Sequence, residues 1–149
     1  MRTLVWRGLD APRMEIAHVD SLDRARGTQL GLAYELRWEL EGSTLRVGVS
    51  DGEEREVELG DCDFFDLGYS PFFNSLPVVR DGLLDRGPER EYRMRFVTVP
   101  ELADQVVAQR YEPLGDRTVR YRSGSFEADI EFDEDGFVTL YQDFLERVG

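Results

Sequence analysis

Apolar and polar residues alternate at every second position through most of this 149-residue chain, and nothing else constrains its fold as tightly. A strand points successive side chains to opposite faces, so such a run buries one face and leaves the other wet. Over residues 30–40 the even positions Leu30, Leu32, Tyr34, Leu36, Trp38 and Leu40 are apolar, and Gln29, Glu35, Arg37 and Glu39 are polar, which predicts one long strand. Leu45, Val47 and Val49 resume the pattern after the turn signal Glu41-Gly42-Ser43, and Val57 and Leu59 do so after Asp51-Gly52. Further runs place Tyr92, Met94 and Phe96, then Val119 and Tyr121, then Phe126, Ala128, Ile130 and Phe132 on single faces, with turns at Gly115-Asp116, Gly124-Ser125 and Asp135-Gly136. About nine or ten strands joined this briefly pair antiparallel with their sequence neighbours. The predicted fold is mainly all-β: a strongly curved antiparallel sheet or open β-barrel, one domain over residues 1–149. One or two short helices are expected, at 99–107 (VPELADQVV, alternatively a bulged strand) and 141–147.

Charge narrows the partners. The net charge is −13, all 18 basic residues are Arg, and the 31 acidic residues are spread along the chain. A surface this negative repels phosphate backbones and anionic headgroups, so neither nucleic acid nor a membrane surface is an expected partner. Arg in place of Lys follows from a GC-rich genome, and dispersed acidity fits a high-salt cytoplasm. No run has the length of a membrane span, so no membrane insertion is expected. The opening MRTLVWRGLD has no apolar core of signal-peptide length, and the single cysteine, Cys62, allows no internal disulfide. Together these predict a cytoplasmic protein.

Catalytic and metal constellations are sparse. His18 and Cys62 are each the only residue of their kind, against about four N or S ligands for a zinc site. Asp133-Glu134-Asp135-Gly136 starts like a calcium loop, but Phe144 stands at its twelfth position, which favours a hairpin turn. His18 shares a strand face with Met14 and Ile16 and reads as a structural histidine. Asp61 and Asp63 beside Cys62 disfavour a thiolate. Neither GxSxG nor GxGxxG occurs. The stripe Glu127, Asp129, Glu131, Asp133 reads as a solvated strand face, with Arg93, Arg95, Arg120 or Arg122 as partners across the sheet. No metal or cofactor is called for.

One run does not fit the alternation. Residues 66–80, DLGYSPFFNSLPVVR, combine two prolines with Tyr69, Phe72 and Phe73 and show no regular period. Each proline removes a backbone donor and holds the preceding residue extended. Such a run either plugs a β structure or forms the wall of a cavity, and the aromatic surplus of Trp6, Tyr34, Trp38, Tyr92, Phe96 and Phe126 suits a concave, ligand-holding face.

The ordered motifs resemble a known family. W-R-x-L-D-x-P is present as Trp6, Arg7, Leu9, Asp10 and Pro12, and D-L-G-x-S-P-x-x-N-S-L-P-V-x-R runs from Asp66 to Arg80 through Asn74 and Pro77. P-E-L follows at Pro100, Glu101 and Leu102, then Q-x-Y at Gln109 and Tyr111. F-x-A-x-I-x-x-D-x-x-G-x-V appears at Phe126, Ala128, Ile130, Asp133, Gly136 and Val138, ahead of Tyr141. This pattern resembles the Putative glycolipid-binding family of bacterial and archaeal proteins across essentially the whole chain. The resemblance implies a β-barrel-like fold similar to periplasmic lipoprotein carriers and a glycolipid or other lipid-like ligand. Phe72 and Phe73 stand where smaller residues are usual, and Phe96 where tryptophan is common, which alters the room in any cavity.

Three readings follow. In the first, a binding module, Asn74, Arg80 and Gln109 hydrogen-bond a polar head, Trp6, Tyr69 and Tyr111 contact its sugar or apolar part, and Arg7 and Asp66 complete the site. In the second, an enzyme acts on a small glycosylated or phosphorylated compound, with Asp66 or Asp10 as base and Arg80 as anion clamp. In the third, a structural protein such as a homodimer, residues 66–80 merely close the sheet.

Overall fold

A computed structural model describes residues Met1 to Gly149. From β1 (Arg2–Gly8), the chain steps outward through β2 (Met14–Ser21), β3 (Arg24–Leu30), β4 (Glu35–Glu41), β5 (Thr44–Val49) and β6 (Arg55–Glu58). It then crosses to the opposite edge as β7 (Phe64–Leu67). A 3-10 turn (Pro71–Asn74) running into the helix α1 (Ser75–Arg80) follows. From there β8 (Arg90–Val97), β9 (Asp104–Gly115), β10 (Thr118–Ser123), β11 (Phe126–Phe132), β12 (Val138–Tyr141) and β13 (Leu145–Arg147) walk back, and β13 pairs with β1. The result is one 13-stranded sheet, ordered β6-β5-β4-β3-β2-β1-β13-β12-β11-β10-β9-β8-β7 and not closed into a barrel. All neighbours are antiparallel except β7 and β8, whose parallel pairing requires the long crossover that carries the helix.

That order forces the curvature. β6 and β7 are the two edges, yet only residues 59–63 join them. A link of that length spans about 20 Å at most, whereas thirteen flat strands would be about 58 Å wide. The sheet must therefore curl until its edges approach. Register shifts in the β2–β3, β9–β10 and β11–β12 pairs supply local bends. Arg55 on β6 bonds the Leu102 carbonyl and the Asp104 carboxylate, fastening that edge to the start of β9.

Inward positions follow the predicted alternation, with one slip. β4 buries Leu36, Trp38 and Leu40, and β5 buries Leu45 and Val47. Residues 30–40, however, are two strands rather than one. The chain turns at 31–34, where the Gly31 N–H donates to the Tyr34 carbonyl. In β3 the inward residues are Ala25, Gly27 and Gln29, which leaves Leu30 45% and Leu32 79% exposed. The cross-strand pair Gln29–Leu36 sets this phase, because paired residues share a face. The helix expected at 99–107 is instead a loop closed by Thr98 N–H to the Ala103 carbonyl, followed by β9. The helix expected at 141–147 is a tight turn between β12 and β13, which continues the sheet and buries Tyr141 and Leu145.

The helix stands where no period predicted one, within 66–80. Pro71 opens the 3-10 turn and Pro77 falls in the first turn of α1, positions that tolerate a missing N–H. This segment plugs one side of the curl. Phe72 and Phe73 are fully buried, with ring centroids 5.4 and 5.0 Å from Trp38. Trp38 in turn lies flat on Gly27, where a β-carbon would fall 2.5 Å from the indole. The outer face is charged: Arg120 pairs with Asp129 at 2.9 Å and Arg122 with Glu127 at 3.1 Å, as the acidic stripe predicts. Gly136 turns with φ of +89°, so Asp133–Gly136 is a hairpin turn.

If Phe72 and Phe73 fill the core, Phe72→Ala lowers unfolding stability by about 3–5 kcal/mol. Phe126→Ala, at a half-exposed ring, costs far less. Urea denaturation of both variants checks this, and equal losses would contradict the plug.

Candidate functional site

Two polar clusters lie on the inward face, and each keeps one buried oxygen without a hydrogen-bond partner, Glu15 Oε1 in the first and Gln109 Oε1 in the second. The first joins Glu15 of β2, Gln29 of β3 and Ser70. The Gln29 amide donates 2.8 Å to the Gly68 carbonyl and also to Ser70 Oγ. Ser70 Oγ donates 2.5 Å to Glu15 Oε2, and Tyr34 donates to Gln29 Oε1. Both amide protons of Gln29 and the hydroxyl proton of Ser70 are therefore committed. Burial pushes the Glu15 carboxyl up to about 8, so it is neutral at pH 7. This cluster pins the 66–80 segment to β2 and β3.

The second cluster joins β7, the 3-10 turn and β9. Gln109 Nε2 donates 2.7 Å to Asp66 Oδ2, and Asn74 Nδ2 donates 3.1 Å to the Tyr111 hydroxyl. Asp66, Asn74, Gln109 and Tyr111 are all buried. Burial raises the Asp66 carboxyl to about 6, against the opposing hydrogen bonds from Gln109 and the Leu67 N–H. Because Gln109 must turn its amide N–H toward the carboxylate, its Oε1 is fixed pointing elsewhere, and that atom is buried without a partner.

Beside this second cluster is a cavity of about 520 Å³. Its polar side is Asp66, Asn74, Gln105 and Gln109, and its apolar side includes Val107, Tyr121, Phe126, Tyr141 and Phe144. The rings brace one another edge-on, Tyr111 to Tyr121 at 5.5 Å and Tyr141 to Phe144 at 5.1 Å. Tyr69, held at φ +64°, covers one side and packs 5.6 Å from Phe144.

The predicted site residues are divided by this geometry. Asp66, Tyr69, Asn74 and Gln109 line the cavity together. Tyr111 lies behind them, bonded to Asn74. Trp6 is fully buried and gives its Nε1 proton to the Val138 carbonyl at 2.8 Å, so it is a core residue. Arg7 is on the exposed face, paired with Glu146. Arg80 is also outside the cavity: it pairs with Asp81 at 3.2 Å, stacks on Phe64 and borders a separate apolar hollow of about 320 Å³ near Leu22 and Leu76. Its place at the end of α1 points it away from Asp66, so the anion clamp expected of Asp66 with Arg80 does not form. Asp10 pairs with Arg13 at 2.7 Å in the loop after β1 and is not in the cavity lining. Phe72 and Phe73 face Trp38 and do not line the cavity. His18 bonds Thr3 across the β1–β2 pair.

Sequence reasoning missed Glu15, Gln29 and Ser70, and it did not assign Tyr121, Tyr141 and Phe144 to a wall. A usable signal existed for two of them. Glu15 is in phase with inward Ala17 and Val19, and Gln29 with Ala25 and Gly27, so each is a polar residue at a buried position.

Comparison with known proteins agrees with this architecture. A family described as Putative glycolipid-binding matches residues 48–147. The crystal structure of a DUF1089 family protein from Pseudomonas aeruginosa superposes with a TM-score of 0.75, covering 91% of this chain and 92% of that one at 23% identity. The two share a fold. No curated protein matches the chain.

Glu15 makes the first cluster testable by pH. Its folded value of about 8 exceeds the ordinary 4.5, so the folded state keeps a proton that the unfolded chain releases. Its contribution is complete below about pH 4.5, declines as pH rises to about 8 and is then constant, with a slope of at most about 1.4 kcal/mol per pH unit. Glu15→Gln removes that slope. Stability curves for the two proteins should diverge between pH 5 and 8, and parallel curves would show Glu15 to be ionised in the fold.

Proposed function

Since the chain belongs to the Putative glycolipid-binding family, we propose that it is a binding protein that holds a lipid-like ligand, a glycolipid in the fullest form of this reading, in the cavity beside Gln109. The observation that carries it is a cavity of about 520 Å³ with an aromatic side and a buried polar side. That volume falls within the range of small-molecule sites, about 300–1,000 Å³, and the mixture of many apolar walls with a few convergent polar groups is what orients an amphipathic ligand.

The polar side takes the head and the aromatic side takes the sugar face or the first carbons of a chain. Tyr121 and Phe126 offer ring faces and edges to such a group, and their mutual packing at 6.0 Å limits the ordering cost on binding. No helix is long and apolar enough to cross a membrane. A cytoplasmic location goes with this proposal. A reading in which residues 66–80 only close the sheet accounts for Phe72 and Phe73 but leaves the cavity next to them without a role.

Native mass spectrometry of protein purified under mild conditions, together with a panel of glycolipids, tests the reading. It expects a retained or titratable lipid on the wild-type chain. Val107→Trp, which places an indole in the cavity, should abolish binding with circular dichroism unchanged. Absence of binding across the panel, or equal binding by Val107→Trp, would overturn it.

A further inference from the structure

The charge and bonding of the cavity's polar side say which heads it can take. We propose that the cavity selects an uncharged, hydroxyl-bearing head, that is, a neutral glycosyl group, and rejects phosphate, sulfate and carboxylate heads. This rests on the reading of the cavity as a ligand site.

Asp66 and Glu101 are the only charged residues in the lining, and both are acidic. An anionic head would bring a second negative charge beside the buried Asp66 carboxylate with no cation to pair with, an arrangement that low-dielectric surroundings penalise heavily. Arg13 does not supply that cation. Its guanidinium sits 4.2 Å from the Tyr69 ring and 5.0 Å from the Phe144 ring, stacked against two wall residues, and is ion-paired with Asp10. Arg80, the cation expected near Asp66, borders the other hollow.

The same groups ask for donors. Gln109 is 1% exposed, lines the cavity and leaves Oε1 unpartnered. A buried acceptor without a donor is costly, and a ligand O–H meets that need. The Asp66–Gln109 bond uses only Oδ2 of the carboxylate and one amide proton. Two acceptors held side by side by one hydrogen bond suit a pair of adjacent sugar hydroxyls.

Octyl-chain probes separate head from tail: octyl β-D-glucoside, octyl phosphate, octyl sulfate, octanoate and octylammonium, each titrated below micelle formation and followed by ligand-observed NMR. The expected result is glucoside binding at least about tenfold tighter than any anionic probe and tighter than octylammonium. Asp66→Asn, which keeps a hydrogen-bonding partner for Gln109, should narrow the gap between glucoside and phosphate. Gln109→Met should weaken the glucoside and leave octanoate unchanged. If every probe binds alike, or phosphate binds best, head selection is wrong while the cavity reading survives. Tightest binding by octylammonium would make the head cationic and overturn the neutral assignment. If no probe binds, the cavity reading and this inference fall together. Circular dichroism of both variants shows whether loss of binding reflects loss of fold.

Discussion

Residues 59–63 connect the two opposite edges of a 13-stranded sheet, and much of the molecule's shape follows from that short tether. It obliges the sheet to curl, and a curl that wide encloses more volume than strand side chains alone can fill. The 3-10 turn and helix between β7 and β8 occupy part of it. They do so against Trp38, which can lie flat only because Gly27 has no side chain. The remaining space, next to Tyr121 and Tyr141, stays open as the cavity. Plug and pocket are thus two halves of one packing problem, and the two phenylalanines belong to the plug.

Polar residues on the inward face divide along the same line. Gln29 and Ser70 commit their donors within the first cluster, which holds the plug to β2 and β3 with Glu15 Oε1 as its one unpartnered oxygen. Asp66 and Gln109 bond to each other, and both line the cavity, with the Gln109 carbonyl left without a partner. Glu15 and Gln29 stay out of the cavity lining, whereas Asp66 and Gln109 are part of it, and the proposed ligand site lies there.

Much of this was legible in the sequence. Period-two patterning located β2, β4, β5, β6, β8, β10 and β11 but not β1, β7, β9, β12 or β13, and the alternating Arg and acidic residues of β10 and β11 anticipated the ion pairs on the outer face. What was hidden depended on long-range pairing. The phase slip at the 31–34 turn could not be read locally, because Leu30, Leu32 and Tyr34 alternate in step with β4 while the pairing of β3 with β4 sets the opposite phase. The helix in 66–80 was masked by two prolines that sit where a helix tolerates them. Four of the eight expected site residues, Asp66, Tyr69, Asn74 and Gln109, do meet at the cavity. Trp6, Arg7 and Arg80 belong elsewhere, and Tyr111 supports from behind: shared motif membership does not encode which face a residue takes.

In the proposed function the ligand enters on the Gln109 side of the curl and leaves the Trp38 side untouched. The most direct measurement is a titration of isotope-labelled protein with octyl β-D-glucoside, followed by amide chemical shifts. The expected result is saturable shifts with one Kd at the side-chain amides of Gln109 and Asn74 and the backbone of Gly68 and Ser123, with Gly27 and Leu45 unmoved. Shifts confined to the Arg120–Asp129 face, or strongest around Trp38, would contradict it.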